Sequence, residues 1–99
     1  MDKIEKKIDM IIKLINKELK PQKIILFGSR AKGNEYMGSD IDLCIEGAKK
    51  KNKRELRKLK EKVDEISGLY SVDIVIYEEI DENFRDIIIK TGKVIYEKN

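Results

Sequence analysis

The sequence predicts an α+β domain in two layers, a small mixed β-sheet packed with helices, and three observations carry that reading. Apolar residues recur at helical spacing over 3–19, 52–67 and 82–91. Three short segments, 23–27, 40–46 and 71–77, are apolar or alternate with a period of two. The order is helix, strand, turn, strand, helix, strand, helix within 99 residues, one domain spanning 1–99.

Each element has its own justification. Ile4, Ile8, Ile11, Ile12, Ile15 and Leu19 trace one face of the first helix; Asp2 with Glu5 forms a capping-box pattern, and Pro21 stops the helix. Lys23-Ile-Ile-Leu-Phe27 is a short buried strand ended by Gly28. Ser29 caps a helical turn that runs to Lys32 and closes at Gly33, and 34–39 form a loop. In 40–46, Ile41, Leu43 and Ile45 face one side, and Asp40, Asp42 and Cys44 the other. Asn52, with Glu55 three residues on, caps the second helix, whose stripe is Leu56, Leu59, Val63 and Ile66 and whose end is Gly68. In 71–77, Val72, Ile74 and Ile76 oppose Asp73, Val75 and Tyr77. Asp81 caps a third helix with Phe84, Ile87 and Ile88 inward and Gly92 at its end, and 93–97 adds a short strand.

Composition narrows the function. Charged residues are 41%, against a usual ~25%. The excess of Lys and Glu fits heat adaptation, and AT-rich coding gives the same look. A net charge of +3 does not by itself imply nucleic acid. With one cysteine, Cys44, and no histidine, neither an internal disulfide nor a His/Cys zinc site can form within the chain. No apolar run approaches the ~20 residues of a membrane span and no signal peptide is visible, so a soluble, cytoplasmic protein is expected.

Residues 28–42 concentrate the chemistry. Gly28-Ser29 offers a turn where backbone N–H groups approach phosphate closely. Asp40 and Asp42, two apart, point to one face of a strand, and Asp73 recurs in a similar apolar strand. A strand-surface reading of these aspartates competes poorly, because Asp is disfavoured in strands and clustered carboxylates repel. A divalent cation resolves that conflict, and Mg²⁺ takes oxygen donors shared with substrate phosphates. Alone, Gly28-Ser29 reads as an ordinary turn; its value lies in the distance to the Asp pair. Arg30 reads equally as a phosphate contact or a solvated side chain, and Lys32 as surface.

The pattern Gly28-Ser29, ten residues, Asp40-Ile41-Asp42 and a later Asp73 resembles the nucleotidyltransferases with a DNA-polymerase-β-like catalytic core, in particular the minimal, MntA-like members. The likeness covers essentially the whole chain. It implies that Asp40, Asp42 and Asp73 are catalytic and bind two Mg²⁺ ions. It implies that Gly28, Ser29 and Arg30 hold the triphosphate of ATP and that AMP is transferred with release of pyrophosphate. Larger relatives hold the acceptor on extra domains, so here a partner chain or a dimer is expected to supply it. Family members of this kind pair with HEPN-domain toxins, which implies an antitoxin that adds AMP to a toxin tyrosine. The alternatives are a dimeric transferase for an aminoglycoside-like alcohol and a purely binding antitoxin.

Segment 49–62 is the other conspicuous feature, with nine Lys or Arg among fourteen residues. It reads as a solvated helix face, a docking surface for an acidic partner or, without interleaved aromatics, a weak RNA contact. Bases at a helix N-terminus oppose the macrodipole, so local stability does not explain them. Tyr36 and Met37 in the spacer read as loop surface or as contacts to substrate. Tyr70 and Tyr77 read as packing residues, and Glu46 is not assigned to metal.

Overall fold

The computed structural model describes residues 3–28 and 40–98. Helix α1 (Lys3–Leu19) forms where the isoleucine stripe predicts it. Its Ile4, Ile11, Ile15 and Leu19 are buried, with Ile8 and Ile12 packed beside them. The helix stops because Lys20 takes a left-handed φ of 45° and Pro21 has no N–H with which to continue it. Asp2, expected at its cap, lies outside the described residues.

Strands β1 (Lys23–Phe27) and β2 (Ile41–Glu46), helix α2 (Lys53–Ser67), strand β3 (Val72–Ile76), a 3₁₀ turn (Tyr77–Glu79), helix α3 (Glu82–Thr91) and strand β4 (Lys93–Glu97) follow. The capping box of α2 is closed in both directions. Asn52 Oδ1 accepts from the Glu55 N–H at 2.8 Å, and the Asn52 N–H donates to Glu55 Oε1 at 3.4 Å. Gly68 ends α2 at φ 66°, its N–H donating to the Asp64 carbonyl. At α3, Asp81 Oδ1 accepts from the Phe84 N–H at 2.8 Å.

The strands form one mixed sheet in the order β3-β2-β1-β4. β1 runs antiparallel to both β2 and β4, whereas β2 and β3 are parallel, joined by the crossover through α2. Helices α1 and α2 share one face of the sheet. Their stripes bury Ile24, Leu26, Ile41, Leu43, Ile45 and Val72 in a core built largely of isoleucine. Helix α3 lies alone on the other face, where Ile88 and Phe84 pack on Ile25, Cys44 and Val75.

Two expectations are corrected. Tyr77 does not extend β3; it opens the 3₁₀ turn, where Arg85 Nε donates to its carbonyl at 2.7 Å. Ile87 does not face inward. Its side chain is 58% exposed, because one helix lying on a narrow strip of sheet buries the Phe84–Ile88 line, and Ile87 is turned ~100° away.

Candidate active site

The face beneath α3 carries the acidic residues. β2 and β3 pair in parallel with Asp42 opposite Asp73, and β1 and β2 pair with Phe27 opposite Asp42. Partners in register point to the same side of a sheet. Phe27, Asp42 and Asp73 therefore form one row across three strands. The next row on that face is Ile25, Cys44 and Val75, which α3 covers. The carboxylate row lies one step beyond that apolar floor, toward the sheet end where β1 finishes and β2 and β3 begin.

Gly28 closes the row against the end of β1. Its φ of 77° is left-handed, and a Cβ built there would overlap the Asp42 carboxylate, meeting Oδ2 first. Only a residue without a side chain lets the turn sit this close to Asp42. Gly28 and Asp42, fourteen residues apart in sequence, thus meet directly.

The electrostatics match that crowding. Asp42 has its pKa raised above the ordinary carboxylate range. Burial is the largest cause, followed by the charges of Asp73 and Asp40 and a carboxyl–carboxyl hydrogen bond with Asp73. Asp73 and Asp40 are exposed, Asp40 lying just ahead of β2. Among the described residues, no three acidic, cysteine or histidine side chains come together closely enough to hold a metal ion between them. The arrangement is instead an open pair with a third carboxylate in electrostatic reach. An all-oxygen, mutually repelling donor set of this kind fits Mg²⁺, which keeps open positions for water and phosphate oxygens.

Ser29 and Arg30, expected to contact phosphate, lie outside the described residues, as do Lys32, Tyr36 and Met37. Cys44 is buried in the floor of the face, where desolvation first and the Glu46 and Glu78 charges next push its thiol up to about 11. It is a packing residue at neutral pH, because the protonated thiol is a poor nucleophile and ligand. The sequence did not reveal the aromatic wall beside the carboxylates. Phe27, in the row with Asp42, meets Phe84 edge to face with ring centroids 5.7 Å apart. Only the helical spacing of Phe84 and Ile88 hinted at it.

A four-stranded mixed sheet carrying Asp-x-Asp on one strand, a third Asp in register on its parallel neighbour and a glycine turn against the pair defines a nucleotidyltransferase fold. The chain belongs to the polymerase beta nucleotidyltransferase family, whose model matches residues 9–99. It is 36% identical over 89 residues to the Haemophilus influenzae protein named probable protein adenylyltransferase MntA, covering 89% of this chain and 78% of that one. Among solved structures it is similar to a chain of a toxin–antitoxin crystallised with AMP-PNP. There the TM-score is 0.78 and the identity 26%, over 92% of this chain and 73% of that one. A chain from the complex of tri-AMPylated Shewanella oneidensis HEPN toxin with MNT antitoxin shares the fold, with TM-score 0.73 and 23% identity over 95% and 72% of the two chains.

Proposed function

We propose that this nucleotidyltransferase is a Mg²⁺-dependent protein adenylyltransferase and antitoxin, transferring AMP from ATP to a tyrosine hydroxyl of a HEPN-type toxin. The observation that carries the reading is the Asp42–Asp73 pair seated against the Gly28 turn. The resemblance to a protein adenylyltransferase and to a toxin–antitoxin that holds an ATP analogue supports the choice of donor and partner.

In this mechanism Asp40, Asp42 and Asp73 would hold two Mg²⁺ ions. When bound, Mg²⁺ supplies Lewis-acid neutralisation of phosphate oxygens and lowers the pKa of an attacking hydroxyl. Gly28, Ser29 and Arg30 would seat the triphosphate, with Gly28 placing no side chain in its way. The tyrosine oxygen attacks the α-phosphorus in line, the bond to the β-phosphate oxygen breaks, and pyrophosphate leaves. Asp73, exposed at the outer strand, accepts the hydroxyl proton. The Phe27–Phe84 wall keeps one side of the carboxylate row dry, which strengthens each electrostatic contact made there.

Intact mass spectrometry tests this. The chain is incubated with a purified HEPN-type protein of the same organism, ATP and Mg²⁺, with an Asp42→Asn control. The expected result is one or more AMP units on the partner, absent with the control. An unchanged partner mass in a stable complex would reduce the protein to a binding antitoxin. No complex and no transfer would favour a small-molecule acceptor.

A further inference from the structure

The basic segment, unexplained by the catalytic reading, acquires a neighbour in the fold. Leu56, Leu59 and Lys60 of α2 line a groove of about 390 Å³ together with Ile74, Val75 and Ile76 of β3 and Ile80 and Glu79 beyond it. β3 is the end strand of the sheet, so the groove follows its open edge. Val75 belongs to the α3 face, whereas Ile74 and Ile76 belong to the opposite face. The groove therefore wraps the strand rather than lying on one side of it.

Helical geometry sorts the bases. At ~100° per residue, Lys53, Arg57 and Lys60 fall on one flank of the buried Leu59–Val63 stripe, the flank on which Lys60 meets the groove. Lys51, Lys58 and Lys62 fall on the other, beside Glu18 of α1. The ion pairs of this segment fall on that second side, at two of its three bases. Lys62 pairs with Glu18 at 3.6 Å and Lys51 with Glu55 at 3.5 Å. Among the described residues, no ion pair engages Lys53, Arg57 or Lys60, and all three are exposed. They stand over an apolar groove, and Lys53, in the first turn, opposes the helix dipole.

Main-chain groups complete the surface. The Ile41 N–H donates to the Ser71 carbonyl at 2.8 Å, so alternation along β3 turns the N–H and C=O of Ile74 away from β2, toward the open side. An edge of this kind accepts a further extended segment. Asp73 sits one residue before the groove begins. At ~3.3 Å per residue, a segment anchored at Ile76 needs only about 10 Å of extended chain to reach it.

We propose that the open edge of β3, the apolar groove beside it and the Lys53–Arg57–Lys60 flank form the docking track for the protein acceptor. The occupant is an acidic segment of the partner with apolar side chains seated among Leu56, Ile74, Ile76 and Ile80, and it delivers the acceptor hydroxyl to Asp73. The charge of the helix flank selects the acidic segment, the groove anchors it, and the edge sets its direction. This inference rests on the adenylyltransferase reading for its partner.

The test compares wild type, the triple variant K53E/R57E/K60E and Asp42→Asn, each with a purified HEPN-type protein of the same organism. Binding is read by calorimetry at two salt concentrations, transfer by intact mass, and nucleotide binding by titration with ATP and Mg²⁺. The triple variant is expected to weaken partner binding at least about tenfold and to flatten its salt dependence. Its ATP affinity should stay that of wild type, and its melting temperature should not fall. Asp42→Asn is expected to keep partner affinity and lose transfer. Unaltered partner affinity in the folded triple variant would overturn the docking track while leaving the adenylyltransferase reading intact. Loss of binding in the triple variant, with no transfer by wild type, would keep the track and sink the chemistry. No complex with wild type, or a variant that loses only binding to a single-stranded RNA probe, would also overturn the track.

Discussion

The two faces of the sheet are built to opposite ends. Beneath α1 and α2, every inward strand residue from Ile24 to Val72 is aliphatic, and Ile11, Ile15, Ile24, Ile41, Leu43 and Ile45 have no exposed surface. Beneath α3, the same strands carry a carboxylate row that the single helix leaves uncovered. Both faces come from the same residues alternately, since each step along β2 or β3 changes side. The sheet thus draws cohesion from one face and puts strain into the other. The Asp42–Asp73 contact is tolerable because Ile41, Leu43 and Val72 anchor the same strands from behind.

That contrast is most severely tested by Asp42→Asn. The variant should lose about 10³-fold or more in transfer, at least ~4 kcal/mol in barrier, because it removes a carboxylate from the charged centre of the site. Its fold should persist, as shown by an unchanged circular dichroism spectrum. A variant that unfolds would mean that the acidic face also carries the fold.

Ile15→Ala is the reciprocal change. Ile15 is fully buried between α1 and the sheet. Truncating it should cost ~2–5 kcal/mol, a fall of roughly 10–25 °C in melting temperature. ATP affinity at temperatures well below the transition should be unchanged. A loss of ATP affinity in the folded variant would show that the two faces are coupled, contrary to the division drawn above.

Gly28→Ala lies at the junction of the two. Its left-handed φ costs an L-residue ~1 kcal/mol, and the new methyl meets the Asp42 carboxylate. Transfer should fall about tenfold or more, with the melting temperature down by several degrees. A normal melting temperature with full activity would remove the glycine turn from the site.

Much of this architecture is legible in the residues, for physical reasons that differ by level. Local signals were sufficient where local energies decide: the Asn52–Glu55 box, the Asp81 cap and the Gly68 stop all form as their spacing predicts. The faces of β2 and β3 were readable because alternation is strict. Tyr77 misled because it continues the alternation of β3, while the donor Arg85 that holds its carbonyl in a turn lies eight residues later. Ile87 misled because an apolar spacing shows which residues can be buried, and a lone helix on a narrow strip buries fewer of them. The sheet order is set by tertiary packing. With it come the pairing of Asp42 with Asp73 and the groove along β3, which involve residues far apart in sequence.

The smallest effect sharpens the comparison most. Asp42 holds its proton more tightly in the folded chain than in the unfolded one, because burial and the neighbouring Asp73 and Asp40 charges disfavour its ionised form. At pH above that raised pKa, the ionised Asp42 therefore costs stability, and the cost is relieved as pH falls through the raised pKa. In metal-free buffer near neutral pH, Asp42→Asn should be the more stable protein. Solvent screening of this partly exposed group limits the gain to about 0.5 kcal/mol, or ~2–4 °C. The difference should shrink in mild acid. Saturating Mg²⁺ should reverse it, because a cation that binds the folded wild type raises its melting temperature and lacks a full ligand set in the variant. Melting curves of both proteins with EDTA and with Mg²⁺, at two pH values, measure all of this together. A variant less stable than wild type in EDTA at neutral pH would mean that the carboxylate row is not in conflict, and that the acidic face contributes to cohesion after all.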